Sequence, residues 1–403
     1  MEVLMPQLLS NIRILDLSRM LAGPFGSMLL GDLGAEVIKI EEPPAGDFTR
    51  TPAQYHMGGI GAYFLAINRN KKSVGIDLTS PKGKIILYEL VKVADVVFDN
   101  LRPTALKKIG ADYETVKGVN PQIISCSISG FGQDGPDRDL PAYDLTIQAR
   151  GGAMGITGEK DGAPVRMGLP VGDLAGGMFA ALAIAAALFD REKTGQGRQL
   201  DISLLDCQAS LLTYMATYHT IGGLIPKPQG SSHEILVPYQ AFKAKDLNLV
   251  VACPTEKFWQ ALCRAIGRED LPGHPHFQDG LQRIIHRQEL YRILQEVFIT
   301  KTVDEWMEIL RREDVPSSPV NTLDRVISDP QLLHRKMIVE VEHPASGKFK
   351  AVGNPIKASG AEEIFGHPPL LGEHTEEVLR NLLHYDSPKI EQLIQEKVVF
   401  KAT

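Results

Sequence analysis

Cysteine is scarce in this sequence and occurs without any paired motif. The 403 residues include four cysteines, Cys126, Cys207, Cys253 and Cys263, and none of them forms a C-x-x-C pair. A disulfide framework is therefore not indicated, and isolated thiols in a chain of this length are typical of reduced, mostly buried cysteines. We expect a cytoplasmic protein in which none of these cysteines is catalytic.

The sequence also lacks an excess of positive charge and a long apolar run. Its formal net charge of −6 argues against broad binding to nucleic acids or anionic membranes, although a local basic pocket remains compatible with it. The first 13 residues show no basic segment followed by an apolar one, so we expect no signal peptide. The most apolar run, residues 178–189, is shorter than the about 20 residues of a membrane span and predicts a buried core helix.

Several nucleotide-binding and hydrolase motifs are missing. No G-x-x-x-x-G-K-[ST], G-x-G-x-x-G or G-x-S-x-G stretch occurs, which argues against a P-loop NTPase, a dinucleotide dehydrogenase and a nucleophile-elbow hydrolase. His274 and His276 have H-x-H spacing, but the prolines around them favour a turn over a metal site. We expect no bound metal.

Strand and helix patterns alternate through the first half of the chain and predict an α/β fold with an open parallel sheet. Predicted strands cover residues 12–17, 36–40, 74–78, 96–99 and 123–127. Predicted helices cover residues 25–33, 81–93, 104–109 and 174–191, and Ser80 is expected to cap the second of these. Composition shifts to Gly, Pro and Ser at residues 222–235, which predicts a linker, and residues 236–330 read as a separate, smaller α+β domain that opens with a hairpin.

One aspartate at the start of the long apolar helix is the strongest candidate for chemistry. Asp173 is surrounded by Gly168, Gly172, Gly176 and Gly177, which leave room for a bulky ligand beside its carboxylate. The helix N-terminus is expected to keep Asp173 ionised, and an ionised carboxylate is a competent nucleophile toward an activated acyl group. A structural role as helix N-cap is the alternative, because Asp is a favoured capping residue.

A series of longer motifs resembles the class III CoA-transferases, the family of formyl-CoA transferase and carnitine CoA-transferase. The motifs occur in family order and spacing between about residues 11 and 380. They are LDLSRMLAGPFGSMLLGDLGAEVIKIE, NRNKKSVGIDL, DNLRPTALKKIG, SISGFGQDGP with PAYD, MGLPVGDLAGG, KTGQGRQLDISLLD and PLLGEHTEEVL.

The resemblance implies a fold, an assembly and a site. Residues 1–221 and 331–403 are expected to build one nucleotide-binding-like domain from both chain ends, with the small domain inserted between them, and two subunits to interlink as a homodimer. Asp173 matches the family nucleophile. CoA would be a co-substrate, with no tightly bound cofactor. The residues that match the family's CoA pocket are Leu21, Ala22, Ile76, Leu78, Thr79, Asn100, Leu101, Arg102, Lys108 and Tyr143.

The resemblance further implies CoA transfer from an acyl-CoA donor, with succinyl-CoA as the suggested donor, to a small carboxylic acid through anhydride and aspartyl-CoA intermediates. An α-methylacyl-CoA racemase of the same fold is the alternative, but that branch has a His before the Asp that matches Asp144. This sequence has Tyr143 there, which favours the transferase. A CoA-binding protein without catalysis is a third possibility and would not need a carboxylate in such surroundings.

The sequence departs from the formyl-CoA transferase branch at its charged positions. That branch has basic residues where this chain has Glu42, Thr79 and Pro141, and its glycine-run loop is replaced here by GSSHEIL. Of the matched cations Lys108 remains, and the candidates to replace the others at the CoA phosphates are Lys71, Lys72 and Arg102. For a second carboxylate on the substrate acid, the candidates are Arg166 and Arg150, which could equally form surface ion pairs.

Overall fold

The computed structural model describes residues 7–402 and divides them into two compact units. The first unit runs to Ala153, resumes over Arg166–Gly222 and again from Pro330 onward. The second unit consists of Met154–Val165 and Gly223–Asp329. Relative to the expected boundaries, the second unit takes in residues 154–165, which the sequence patterns had assigned to the large domain.

The elements of the first half include the expected alternation of strands and helices, and the chain also contains 3₁₀ turns at Phe48–Arg50 and Leu271–Gly273. The strands are β1 Arg13–Asp16, β2 Glu36–Glu41, β3 His56–Met57, β4 Ile60–Gly61, β5 Lys71–Ile76, β6 Val96–Asp99, β7 Ile124–Ser129, β8 Gln199–Ser203, β9 Tyr239–Lys243, β10 Asn248–Ala252, β11 Ser317–Pro319, β12 Ile338–His343, β13 Gly347–Val352 and β14 Val399–Phe400. The helices are α1 Ala22–Asp32, α2 Ala62–Ile67, α3 Pro81–Lys92, α4 Pro103–Ile109, α5 Tyr113–Val119, α6 Asp144–Arg150, α7 Ala153–Ile156, α8 Val171–Thr194, α9 Leu204–Ser210, α10 Tyr214–Gly222, α11 Glu256–Ala265, α12 Gly280–Ile285, α13 Arg287–Phe298, α14 Val303–Arg312, α15 Leu323–Val326, α16 Pro330–His334, α17 Thr375–Asn381 and α18 Ser387–Gln395.

A seven-stranded sheet forms the centre of the first unit. Its strand order is β14-β5-β2-β1-β6-β7-β8, and all neighbours are parallel except β14, which pairs antiparallel with β5. Successive side chains of a strand point to opposite faces. Ile14 and Leu15 of β1 therefore enter two different apolar cores, one on each face of the sheet. This doubly covered parallel sheet confirms the predicted α/β class.

The strand order changes direction at β1, and this switch point positions the site. From β1 the strands proceed through β2 to β5, after which β6 returns to the opposite side of β1. The loops that follow β1 and β6 then diverge from neighbouring strand ends. Open α/β sheets bind ligands in the crevice formed at such a switch point.

The predicted cap of α3 is confirmed. Ser80 accepts a hydrogen bond from the backbone N–H of Gly83 at 3.0 Å, and Pro81 occupies the first turn, where its missing N–H has no consequence. The helix therefore begins where its sequence signals place it.

The long apolar helix α8 differs from its prediction in length and burial. It covers Val171–Thr194, whereas residues 174–191 were expected, and it ends at Gly195 in the left-handed conformation. Full burial is wrong for this helix within its own chain, because Met178, Leu182 and Phe189 are 51%, 65% and 65% exposed. Among residues 7–402 it is the one helix whose length and composition would suffice for a membrane span, a test that core helices of soluble proteins also pass.

The second unit has its own core. The predicted hairpin is present, with β9 and β10 antiparallel and Tyr239 opposite Ala252, and β11 extends it to three strands. Amphipathic helices α11, α13 and α14 contribute Trp259, Leu294 and Trp306 to a buried cluster against this sheet.

Candidate active site

A cleft opens at the switch point and contains the candidate nucleophile. It lies at the carboxyl ends of β1, β6 and β7, where three loops meet the start of α8. Asp173 lines this cleft, which we call the Asp173 cavity. The sequence-predicted CoA residues that line it are Leu21, Ala22, Asn100, Leu101, Arg102 and Tyr143.

A second cavity is lined by the remaining predicted CoA residues. Leu101 lines both cavities, so the two are neighbours around the loop that follows β6. The predicted residues in this second cavity are Ile76, Leu78, Thr79 and Lys108. The structure thus brings every residue of the predicted CoA pocket to one of two adjoining cavities.

Asn100 fastens the two loops that form the switch point. Its side-chain oxygen accepts a hydrogen bond from the backbone N–H of Arg19 at 2.8 Å, and its side-chain nitrogen donates to the carbonyl oxygen of Arg19 at 2.7 Å. The loops after β1 and β6 are therefore held in fixed register.

Asp173 does not cap its helix, so the N-cap role is wrong. The residue lies in the first turn of α8, after Val171. Asp144, at the start of α6, caps the N-terminus of α8 instead. Its Oδ1 accepts hydrogen bonds from the backbone N–H groups of Gly172 at 2.9 Å and Asp173 at 3.3 Å. Its Oδ2 accepts a further bond from Gln148. The Asp173 carboxylate has no hydrogen-bond donor in range among residues 7–402.

The surroundings of Asp173 favour its neutral form, contrary to the expected ionisation. Burial raises the pKa of Asp173 to about 7, and the neighbouring Asp144 carboxylate adds to the rise. Ionisation of Asp173 is therefore incomplete near neutral pH. A carboxylate that is desolvated and without hydrogen-bond donors is more reactive once ionised.

The glycines around Asp173 serve packing more than ligand access. A Cβ on Gly177 would lie 2.5 Å from the carbonyl oxygen of Ala22, and one on Gly176 would lie 2.4 Å from Leu204. Helices α1 and α9 therefore approach α8 closely through positions without side chains. Gly168 alone among the four candidate glycines has nothing within 4 Å of such a Cβ.

Lys71 is not available to CoA, which corrects its proposed phosphate role. It is buried, and its Nζ contacts Asp16 Oδ2 at 3.2 Å and Asn68 Oδ1 at 2.9 Å. Burial lowers the pKa of Lys71 to about 8, against the opposing effect of Asp16. Although burial acts to raise it, the pKa of Asp16 falls to about 2 because Lys71 and Lys39 lie nearby. Lys71 is part of a buried ion cluster beneath the site.

Lys72 is also engaged elsewhere. Its Nζ forms salt bridges with Glu36 at 2.9 Å and Glu377 at 2.8 Å, and it lines neither cavity.

Two other cations that the sequence analysis did not select do line the cavities. Arg19 lines the second cavity and pairs with Glu42 at 3.1 Å, and Arg138 lines the Asp173 cavity. Arg19 lies in the loop after β1 and Arg138 in the loop after β7, and these positions after strands were the available signal.

Tyr63 is a further residue that the sequence patterns did not reveal. Burial raises the pKa of this half-exposed phenol to about 12, and Asp173 is the first of several carboxylates that add to the rise. Its hydroxyl therefore stays protonated near the Asp173 carboxylate. The helix α2 that carries it follows a segment without regular motifs, so its position depended on tertiary structure.

The H-x-H segment forms a turn, as predicted. Nδ1 of His274 accepts a hydrogen bond from the backbone N–H of His276 at 3.2 Å. His276 instead shares Glu289 with His286, and three potential ligand atoms from these residues lie within 4.8 Å of one another. The His276 Nδ1 to Glu289 Oε2 distance of 2.8 Å identifies an imidazole–carboxylate pair in the second unit.

Similar proteins are found along nearly the whole chain. Residues 9–375 match the profile of CoA-transferase family III. A succinyl-CoA:glutarate CoA-transferase from Homo sapiens is 40% identical over 392 residues, which cover 97% of this chain and 90% of that protein. A succinate–glutarate CoA-transferase from Agrobacterium fabrum is 34% identical over 381 residues, which cover 93% and 95%.

A solved structure has the same fold. The crystal structure of a CaiB/BaiF family protein from Brucella suis superposes with a TM-score of 0.86 at 34% identity, covering 94% of this chain and 100% of that one. Similarity of this extent in sequence and in fold establishes that the chain belongs to CoA-transferase family III and is an enzyme that transfers CoA to a carboxylate.

Proposed function

We propose that this enzyme moves CoA from an acyl-CoA donor to a free carboxylic acid through covalent intermediates on Asp173. The observation that carries the proposal is the position of Asp173 on the wall of a cavity that six predicted CoA residues also line. Its carboxylate accepts no hydrogen bond from residues 7–402, and burial raises its pKa to about 7. The names of the two relatives suggest succinyl-CoA as donor and a small dicarboxylic acid as acceptor.

The first half-reaction has two steps. The Asp173 carboxylate attacks the thioester carbonyl of the donor and expels CoA thiolate, which leaves a mixed anhydride between Asp173 and the donor acyl group. The thiolate then attacks the aspartyl carbonyl of that anhydride. The donor acid departs, and an aspartyl-CoA thioester remains.

The second half-reaction reverses these steps with the acceptor. The acceptor carboxylate attacks the aspartyl-CoA carbonyl, expels CoA thiolate and forms a new anhydride. Attack of the thiolate on the acceptor's acyl carbon yields the product thioester and frees Asp173. The adjoining cavities support this scheme because CoA held in both would keep its thiol beside the nucleophile throughout.

The residues at Asp144 do not favour the racemase alternative. A racemase of this fold would use the His–Asp pair as an acid/base, but Asp144 is 8% exposed and its oxygens accept bonds from the start of α8 and from Gln148. Tyr143 at the preceding position is an exposed phenol in place of the imidazole that a racemase of this fold would use.

The expected interlinked homodimer is part of the same proposal. Apolar side chains on α8 and α10 that are exposed in the single chain support it, namely Met178, Leu182, Phe189, Tyr214 and Ile221. Light scattering at nanomolar concentration should give the mass of a dimer, and a stable monomer would contradict it. A cytoplasmic location is likewise proposed, in line with four free, buried cysteines.

Trapping the covalent intermediate tests the mechanism. Enzyme incubated with succinyl-CoA and then hydroxylamine should lose activity and acquire a hydroxamate on Asp173, detectable by peptide mass spectrometry. The Asp173→Asn variant should fold normally yet lose nearly all turnover and remain unlabelled. Labelling of Asp144 or Asp201 instead would refute Asp173 as the nucleophile.

A further inference from the structure

We propose that Arg138 binds the distal carboxylate of a dicarboxylic substrate acid and thereby selects dicarboxylic over monocarboxylic acceptors. The inference rests on the proposed function, because it assigns a substrate class to the same site. Arg138 belongs to the loop between β7 and α6, and its side chain lines the Asp173 cavity together with Leu140 and Ala142. One cavity therefore offers a reacting carboxylate, apolar surface and a guanidinium.

The guanidinium of Arg138 retains free donors. Its Nε lies 3.2 Å from Asp139 Oδ2, and within residues 7–402 neither Nη nitrogen bonds a protein group. The two side chains are 57% and 61% exposed, and an exposed pair between adjacent residues contributes little stability. Arg138 can therefore present its Nη nitrogens to an incoming carboxylate, the geometry in which arginine binds carboxylates most strongly.

The loop that carries Arg138 is held in place by another arginine. Arg150 forms a salt bridge with Asp137 and lies over the ring of Phe131 at 4.9 Å. Arg150 lines neither cavity, so of its two suggested roles the structure favours the ion pair over the carboxylate ligand. Arg166, the other suggested ligand, is exposed and lines neither cavity. Anchoring through Asp137 pre-organises the neighbouring Arg138.

Arg102 also lines the Asp173 cavity, but its position assigns it to CoA. It follows Leu101, which lines both cavities, and precedes α4, whose Lys108 lines the second cavity. Neither arginine lines the second cavity, but Arg102 lies between Leu101 and α4, which both line it, whereas no residue of the loop that carries Arg138 does. We therefore assign Arg102 to CoA and Arg138 to the acid.

Electrostatics give this cation a selective effect. The Asp144 carboxylate lies near the nucleophile, so a second carboxylate on the substrate would enter a region of like charge. Pairing with Arg138 offsets that repulsion for a dicarboxylate. A monocarboxylate of the same length makes no such pair, so it lacks the charge-assisted hydrogen bonds by which Arg138 would favour a dicarboxylate.

Acceptor selectivity of purified enzyme tests the inference. With succinyl-CoA as donor, kcat/KM should be measured for glutarate and for pentanoate in wild type, Arg138→Gln and Arg138→Lys. In a double-displacement reaction, kcat/KM for the acceptor measures the half-reaction that begins at the aspartyl-CoA intermediate. The distal carboxylate of the donor, succinyl-CoA, therefore does not affect this constant. The glutarate-to-pentanoate ratio should fall about 10- to 100-fold in the Gln variant. The Lys variant keeps the positive charge but lacks the bidentate guanidinium, so its ratio should lie between those of wild type and the Gln variant.

Arg166→Gln removes an exposed arginine outside both cavities and should leave the ratio within about twofold of wild type. An equal loss for both acceptors in Arg138→Gln, or a raised KM for succinyl-CoA with the ratio unchanged, would assign Arg138 to CoA and overturn the inference. Absence of CoA transfer to any acid in wild type would instead refute the proposed function. Melting temperatures of all variants show whether a loss reflects unfolding.

Discussion

Asp144 and Asp173 are linked through both a hydrogen bond and their charges. The Oδ1 atom of Asp144 accepts the backbone N–H of Asp173 at 3.3 Å, while the same carboxylate contributes to raising the pKa of the Asp173 side chain to about 7. One residue therefore fixes the position of the nucleophile and weakens its acidity. This coupling leads to a prediction about pH.

Activity should depend on the ionisation of Asp173. We expect kcat/KM for the acyl-CoA donor to rise with pH to a plateau, with an apparent pKa of about 7, because the ionised carboxylate is the nucleophile. Asp144→Asn should shift this profile to lower pH, since it keeps the acceptor oxygen and removes the charge. Because burial is the larger cause, the shift should be partial. A pH series of initial rates checks this, and an unshifted profile in Asp144→Asn would contradict it.

Asp173 should lower the stability of the fold in exchange for reactivity. Its folded pKa of about 7 exceeds the ordinary value of 3.8, so the native state binds more protons than the unfolded state between these values. Stability then decreases as pH rises through this window. Asp173→Asn does not titrate, so its stability advantage should grow from pH 4 to 7 and level off above, reaching ~2 kcal/mol after discounting partial exposure.

Urea unfolding of Asp173→Asn and wild type at pH 4.5, 6 and 8 measures that difference. Asp201→Asn tests the same rule outside the Asp173 cavity, because burial also raises the pKa of Asp201 and its stability advantage should likewise grow with pH. A constant difference between Asp173→Asn and wild type across this range would show that the ionised nucleophile carries no penalty.

The cations near the site should separate into binding and structural groups. Lys108→Ala should raise the KM for acyl-CoA about tenfold with little change in stability, because Lys108 is exposed and lines the second cavity. Lys107→Ala, an exposed neighbour on α4 that does not line it, is the matched control. Equal KM values for the two variants would remove Lys108 from the CoA site.

Lys71→Met should behave in the opposite way. Removing this buried cation leaves the Asp16 carboxylate, which is fully buried, without one of its two charge partners. Breaking a buried pair costs about 3–5 kcal/mol. We therefore expect a large decrease in the free energy of unfolding, measured by denaturant titration. A stable Lys71→Met variant with a selectively raised KM for acyl-CoA would restore Lys71 to the phosphate site.

The contact of α8 with α1 should not tolerate a side chain. Gly177→Ala would place its Cβ 2.5 Å from the carbonyl oxygen of Ala22, and overpacking of this kind costs about 1–3 kcal/mol. Gly118→Ala in α5 meets nothing within 4 Å and should be neutral or stabilising. Thermal denaturation of both variants tests this, and equal melting temperatures would show that the helices can separate at no cost.

Features set by local sequence were predictable, whereas those set by distant contacts were not. Ser80 and the proline after it mark the start of α3 without reference to the rest of the chain. Asp173 was identified from its neighbours, but its cap partner Asp144 lies 29 residues away and could not be inferred from the helix sequence. The burial of Lys71 was not predictable for the same reason. The sequence alone does not distinguish an exposed lysine from one that is buried beside Asp16.

The antiparallel edge strand β14 has a consequence for how the chain folds during synthesis. Val399 pairs with Ile76, a predicted CoA residue, and the N–H of Asp77 donates to the carbonyl of Val398 at 2.9 Å. The ribosome must therefore synthesise more than 300 further residues after β5 before β14 can cover the β5 edge of the sheet. Until then β5 exposes unpaired backbone groups, which are prone to intermolecular pairing. The CoA pocket would thus be among the last parts of the protein to become complete.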